Sequence, residues 1–150
     1  MPLSRAGRSS SLGRGFSLIE ILVVVVIIGI LAAVVVPRVM DEPDRARVTK
    51  AKQDIQALAT ALNMYRLDNF VYPSTEQGLE ALVRQPAGQP EAPNWRAGGY
   101  LDRVPKDPWG RDYQYLYPGI HGEFDVWTFG ANGMSGGEGI NAEIGNWGNG

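Results

Sequence analysis

The chain has 150 residues, which favours one globular domain with appendages. Its formal net charge of −2, from 14 basic and 16 acidic residues, does not indicate a nucleic-acid-binding protein. It has no cysteine and one histidine, so disulfides, thiol chemistry and Cys/His metal sites are excluded.

The most apolar part of the chain, residues 16–36, predicts a membrane-spanning helix. These 21 residues would form a helix about 32 Å long, against a hydrocarbon core of about 30 Å. Residues 1–15 form a basic leader that contains Arg5, Arg8 and Arg14. The positive-inside tendency therefore places the N-terminus in the cytoplasm and the rest of the chain on the far side.

One carboxylate, that of Glu20, interrupts this apolar segment. An acidic side chain costs roughly 2.5–3.5 kcal/mol at the centre of a membrane helix and less near an end, so a partner must offset it. The alternative is a secretory signal peptide cut after Ala33. A charge early in its hydrophobic region and the length of residues 16–36 argue against that alternative.

The residues after Pro37 predict an amphipathic helix that ends near Asp68 and Asn69. Its apolar residues recur at spacings of three and four, which indicates one buried face. They are Val48, Ala51, Ile55, Leu58, Leu62 and Tyr65. We expect Pro37 to kink or interrupt the join between the two helical halves, and Asp44 to lie near an N-cap.

Short elements follow the predicted helix. Ser74 or Thr75 is expected to cap a short helix, and a linker rich in Pro, Gly and Ala covers residues 85–99. Residues 112–117 and 124–129 alternate in the manner of strands joined by a Pro-Gly turn. The expected fold class is α+β, a long N-terminal helix packed on a small antiparallel sheet with a Gly-rich C-terminal loop.

The residues GFSLIE, directly after the basic leader, resemble the class III signal of type IV pilins and pseudopilins. In that family a prepilin peptidase cuts after the glycine, and the new N-terminus is methylated. The resemblance implies cleavage between Gly15 and Phe16, N-methyl-Phe16, and retention of the apolar helix. We expect Phe16 and Glu20 to share one helical face, so the amine of Phe16 would neutralise Glu20 of a neighbouring subunit, with the subunit's own amine as the alternative partner. Pro37 completes the set of expected assembly residues.

Four further blocks narrow the resemblance to the major pseudopilins of type II secretion systems. They are YPSTEQGLEALV, GGYLDRVPKDPWGRDYQYLYPG, FDVWTFGANG and GNW, and the likeness covers about residues 15–147. It implies a structural subunit of a periplasmic pseudopilus that drives export of folded proteins across the outer membrane.

The resemblance also implies a location and partners. The chain would be a single-pass protein of the bacterial inner membrane, with residues 37–150 forming a periplasmic domain. Its partners would be further copies of itself, minor pseudopilins, prepilin peptidase, and the inner-membrane assembly platform with its ATPase, and not nucleic acid. The alternatives are a type IV pilin-like subunit for adhesion, motility or DNA uptake, and a soluble periplasmic module that binds calcium or glycans.

The Gly-rich loop, residues 130–145, is a predicted calcium site. Glycines let backbone carbonyls turn toward a hard cation, and the loop of the resembling family binds calcium. The expected ligands are Phe129, Asn132, Ser135, Gly137 and Glu138. Asn132 stands where the family has an aspartate, which lowers the carboxylate count and hence the calcium affinity. A polar surface loop held by turns alone is the alternative.

Nothing in the chain singles out an enzyme active site. His121 lies in a predicted turn, and no pair of carboxylates has a spacing that suggests acid–base chemistry. The tryptophans are expected to serve packing rather than a sugar-binding face; they are Trp95, Trp109, Trp127 and Trp147. The basic residues of the helix are expected to form a solvated face or inter-subunit ion pairs; they are Arg45, Arg47, Lys50 and Lys52.

Overall fold

The structure is a computed structural model that describes residues 2–3, 7, 13 and 15–148, without the side chains of residues 35–41. The chain divides into two compact units, Met1–Met40 and Asp41–Gly150. Most of the predicted leader, residues 1–15, and the side chain of Pro37 therefore lie outside the described part.

A single long helix, α1 (Leu18–Asn69), contains both of the predicted helical halves and confirms the predicted long N-terminal helix. Its backbone is helical through Pro37, so the helix is not interrupted there, and a kink at Pro37 stays a prediction. Inside a helix, proline removes one hydrogen bond and its ring crowds the carbonyl four residues earlier, at a cost of about 3 kcal/mol. Its fixed φ is nevertheless close to the helical value, so the chain can continue as a helix. Asp44 is likewise an interior helix residue and not an N-cap; its carboxylate accepts a hydrogen bond from Arg47 at 2.9 Å.

In the first unit, the apolar residues of α1 are exposed on all sides. The large side chains from Ile21 to Val34 are each 49–62% exposed. Within the residues described, no helix meets the combined length and hydropathy that a membrane crossing requires. The assignment of residues 16–36 to the membrane therefore rests on the sequence.

In the second unit, the predicted apolar stripe of α1 forms one side of the core. Leu58, Leu62 and Tyr65 are completely buried, and Ile55 is nearly so. Val48, at the start of the stripe, is partly buried against the same cluster. The period of three and four residues was therefore a sufficient guide to the buried face.

After α1 the chain forms a turn and then a short 3₁₀ helix, η1 (Leu79–Leu82). The predicted cap at Ser74 or Thr75 is wrong, because Gly78 precedes η1. Ser74 instead closes the turn before it: its Oγ accepts from the Gln77 N–H at 3.1 Å, and its N–H donates to Gln77 Oε1 at 2.9 Å. The sequence pattern that suggested a helix cap therefore marks a turn in which Ser74 and Gln77 hydrogen-bond to each other's backbone N–H groups.

The sheet has three antiparallel strands, β1 (Gln114–Leu116), β2 (Asp125–Thr128) and β3 (Ile144–Gly145), in that order. Trp127 lies opposite Gln114 on one side and Gly145 on the other. The two predicted strands are confirmed but are shorter than predicted. The third strand, only two residues long, gave no periodic signal.

The helix and the sheet share one hydrophobic core. It joins the α1 stripe to Tyr113, Tyr115, Phe124, Val126 and Ile144 from the sheet region. The Tyr113 hydroxyl also donates to Asp54 of α1 at 2.8 Å. These contacts give the α+β architecture that the sequence predicts.

Candidate functional site

The processing motif lies just before α1. Gly15 and Phe16 have no regular secondary structure, and the helix begins at Leu18. Phe16 is 78% exposed, and a Cβ built on Gly15 would meet nothing within 4 Å. The predicted cleavage point therefore lies in exposed chain outside regular secondary structure, where a peptidase can reach it.

Ser17 caps the start of α1, a feature that the sequence reasoning missed. Its Oγ accepts a hydrogen bond from the Glu20 N–H at 3.2 Å, and its carbonyl accepts from Ile21. Ser17 is thus the N-cap, and Glu20 occupies the third position of the first turn. The pattern Ser-x-x-Glu is a capping-box sequence and would have located this boundary.

The capped position gives Glu20 a local reason to be acidic. A carboxylate in the first turn interacts favourably with the positive end of the helix dipole. Phe16 precedes the cap and lies outside α1, so the prediction that Phe16 and Glu20 share one helical face is wrong for this chain. Pairing of Glu20 with a Phe16 amine, that of a neighbouring subunit or of its own, stays a prediction.

The predicted calcium ligands lie together in the loop that follows β2, but their side chains do not converge. Asn132 Oδ1 accepts from the Met134 N–H at 3.1 Å, within a local turn. The side chains of Asn132, Ser135 and Glu138 are exposed. Phe129 and Gly137 would contribute only backbone carbonyls.

The carboxylate that organises the loop is that of Glu143, which was not among the predicted ligands. Glu143 Oε1 accepts from Ser135 Oγ at 2.8 Å and from the Gly136 N–H at 3.3 Å. In the described part of the chain, no three His, Asp or Glu side chains are grouped so that they could hold a metal ion. The residues present therefore fit a calcium shell poorly, and calcium binding stays a prediction.

Arg111 is the residue at this loop that sequence reasoning missed altogether. Its guanidinium donates to the carbonyls of Gly130 and Ala131, at 3.0 Å to the latter. About twenty residues separate donor and acceptors, so no local pattern could reveal the contact.

His121, in the turn between β1 and β2, is a structural residue. Its Nδ1 lies 2.9 Å from Asp125 Oδ2, and its ring stacks on Trp147. Asp125 is buried and also accepts from the Ile120 and His121 N–H groups. Burial raises the pKa of the Asp125 carboxyl, but these hydrogen bonds outweigh it and the pKa lies below its usual value.

The tryptophans and the basic helix residues have ordinary structural partners. The Trp95 indole donates to the Ala81 carbonyl at 2.8 Å, and Trp109 is partly buried against the core. Trp127 and Trp147 pack against each other, with ring centroids 6.1 Å apart. Three of the four basic residues pair along α1; the pairs are Arg45–Glu42, Arg47–Asp44 and Lys50–Asp54.

Comparison with known proteins identifies the family. The model for protein G of the type II secretion system matches residues 38–147, and the prokaryotic N-terminal methylation motif matches residues 12–36. The type II secretion system core protein G of Pseudomonas aeruginosa is 62% identical over 135 residues, which cover 90% of this chain and 95% of that protein. The same protein of Vibrio cholerae is 59% identical, over 89% of this chain and 90% of that protein.

A solved structure agrees. The major pseudopilin from the type 2 secretion system of enterohaemorrhagic Escherichia coli has a TM-score of 0.65 and 49% sequence identity. The match covers 75% of this chain and 96% of that one. Both alternatives, the type IV pilin and the soluble module, are disfavoured by these relatives. The chain belongs to the protein G family of the type II secretion system, the family of the major pseudopilins.

Proposed function

We propose that this chain is the structural subunit that polymerises into the periplasmic pseudopilus of a type II secretion system and has no enzymatic activity. The observation that carries the proposal is the exposed apolar half of α1. The large side chains from Ile21 to Val34 are about half exposed, and such an apolar surface must be shielded from water. Lipid would shield it before assembly, and neighbouring helices would do so afterwards.

Glu20 would fix how these helices pack. A carboxylate in an apolar bundle is costly unless it is paired, so only a stagger that brings a neighbour's Phe16 amine to Glu20 avoids the cost. Cleavage after Gly15 creates that amine. The same charge that disfavours the isolated subunit in the membrane would therefore select one register in the filament.

The location and the finer partners follow from this role. The basic leader would stay in the cytoplasm until prepilin peptidase removes it, and residues 37–150 would lie in the periplasm. The filament would then grow from an inner-membrane platform driven by its ATPase, with minor pseudopilins as further partners. Growth of the filament would move folded proteins through the outer-membrane channel.

Replacement of Glu20 tests the proposal directly. The Glu20→Leu chain should be cleaved, membrane-inserted and folded, yet form no filaments, because no charge is left to pair with the amine. Ile19→Leu is the matched control, since it changes the neighbouring residue without changing charge. Carbonate extraction reports insertion, and electron microscopy of cells that overproduce the chain reports filaments. Normal filaments from Glu20→Leu would contradict the proposal.

The first residue of the mature chain separates the proposal from its soluble rival. N-terminal sequencing should find N-methyl-Phe16. A chain that begins after Ala33 would instead be a soluble periplasmic module without the apolar helix, and polymerisation through that helix would be impossible.

A further inference from the structure

We propose that in this chain the guanidinium of Arg111, and not a calcium ion, closes the Gly-rich C-terminal loop. The loop, residues 130–145, contains six glycines. Such a segment loses much conformational entropy when it is ordered, so it needs a strong clip. Glu143 bonds to Ser135 and Gly136 within the loop, and a metal-free clip from outside the loop is provided by Arg111.

The start of the loop wraps around the end of Arg111. Nη2 donates to the carbonyls of both Gly130 and Ala131. A Cβ built on Gly133 would lie 2.9 Å from Cζ and 3.0 Å from Nε of Arg111, so a side chain at this position would push the guanidinium out of its present place. Hydrogen bonds from a charged donor are about twice as strong as neutral ones, which suits a clip on backbone carbonyls.

The backbone of Arg111 is held rigidly by a buried carboxylate. Asp107 is almost completely buried, and its Oδ1 accepts from the N–H groups of Trp109, at 3.0 Å, and Arg111, at 2.8 Å. Its Oδ2 accepts from Thr128 Oγ1 at 2.6 Å, which ties the turn to the end of β2. Arg111 therefore projects from a fixed turn toward the loop that β2 leads into.

Charge balance favours the same arrangement. The Arg111 Nε lies 4.0 Å from Asp107 Oδ2, so the guanidinium offsets a buried negative charge while it holds the loop. A calcium ion nearby would be repelled by this fixed positive charge. It would also find few anionic ligands: Asn132 is neutral and Glu143 is hydrogen-bonded to Ser135 and Gly136, which leaves the exposed Glu138 as the other carboxylate of the loop.

Thermal unfolding of the full chain in detergent, with EGTA or with about 5 mM calcium chloride, tests the proposal. That concentration exceeds the roughly 10⁻⁴–10⁻³ M dissociation constants of extracellular calcium sites. The wild-type Tm should be the same in both buffers. Arg111→Gln should lower Tm by roughly 5 °C in both buffers, the shift that loss of a charge-assisted hydrogen bond gives a domain of about 100 residues.

A glutamate-specific protease gives a local readout of the loop. Cleavage after Glu138 should be faster in Arg111→Gln than in the wild type, with and without calcium. Arg103→Gln is the matched control, because Arg103 is exposed and makes no hydrogen bond or salt bridge with the described residues. Arg111→Lys should fold, and its Tm and cleavage rate should lie between those of the wild type and of Arg111→Gln. An ammonium keeps the charge but lacks the planar fork of donors.

Two results would overturn the proposal. If calcium raises the wild-type Tm by several degrees, or EGTA speeds cleavage of the wild-type loop, a calcium ion closes the loop. If Arg111→Gln and Arg111→Lys behave like Arg103→Gln in both measurements, Arg111 does not act as the clip.

Discussion

The imidazole of His121 lies flat against the indole of Trp147, with ring centroids 3.9 Å apart and ring planes 13° apart. The same imidazole contacts the buried carboxylate of Asp125 at the start of β2. The Trp147 side chain also lies over Gly145 in β3. The stack therefore ties the turn between β1 and β2 to the last residues that the structure describes.

The Asp125 carboxylate should make the fold sensitive to acid. Because its pKa is lower in the folded chain than the usual value of about 3.9, it stabilises the fold above that pH, and the contribution is lost as pH falls through the folded pKa. Asp125→Asn should lower the free energy of unfolding by about 1–3 kcal/mol at neutral pH. The reason is that the amide NH2 would be a donor where the carboxylate oxygen accepts hydrogen bonds from backbone N–H groups. Urea unfolding between pH 7 and about pH 3 measures this.

The variant and the wild type should also differ in the shape of their pH profiles. The stability of the wild type should fall more steeply in acid than that of Asp125→Asn. Two parallel profiles would show that Asp125 is not the group that responds.

Gly145 should be intolerant of a methyl group. A Cβ there would lie 2.5 Å from the Trp147 ring, so Gly145→Ala must displace the indole from His121. We expect a loss of about 1–3 kcal/mol in the free energy of unfolding and a change in tryptophan fluorescence. Gly122→Ala is the control, because its Cβ would meet only the Phe124 carbonyl at 3.9 Å. Equal effects of the two variants would contradict the packing argument.

Two buried tyrosines should respond oppositely to loss of the hydroxyl. The Tyr65 hydroxyl is buried and has no hydrogen-bond partner among the described residues, and burial raises its pKa to about 12. The Tyr115 hydroxyl donates to the Pro73 carbonyl at 2.7 Å. Tyr65→Phe should therefore be neutral or stabilising by up to about 1 kcal/mol, whereas Tyr115→Phe should cost about 0.5–1.5 kcal/mol. Chemical unfolding of the two variants side by side checks the sign.

Asn69, the last residue of α1, should be more important than its position suggests. Its amide donates to the Tyr65 carbonyl and the Tyr100 hydroxyl, and its Oδ1 accepts from the Asn94 N–H. Asn69→Ala removes all three bonds at a buried site and should cost about 2–3 kcal/mol. Thermal unfolding measures the loss. A cost below about 0.5 kcal/mol, as for an ordinary surface change, would rule out this role.

Gly15 should matter for processing and not for folding. A Cβ at Gly15 or at Gly13 would meet nothing within 4 Å, so neither Gly15→Val nor Gly13→Val should disturb the fold. Mass spectrometry should find residues 1–15 retained in Gly15→Val and removed in Gly13→Val. Normal maturation of Gly15→Val would place the cut elsewhere.

Features that depend on neighbours in the sequence could be predicted well. The apolar residues of the α1 stripe recur with a helical period, and apolar and polar residues alternate in the two longer strands. The pattern of each element therefore predicts which of its faces is buried. The capping pair Ser17 and Glu20 was within reach of the same reasoning. Pro37 does not interrupt the helix, because the fixed φ of proline is close to the helical value and the residues on both sides are helical.

The sequence by itself determined the long helix, the apolar segment with its single carboxylate, and the processing motif. Only the tertiary structure brought Arg111 to the Gly-rich loop, Trp147 to His121, and the two residues of β3 to β2. Each of these contacts joins residues 16 or more positions apart. Local periodicity carries no information about such pairs, because they form only when the core has placed both segments side by side.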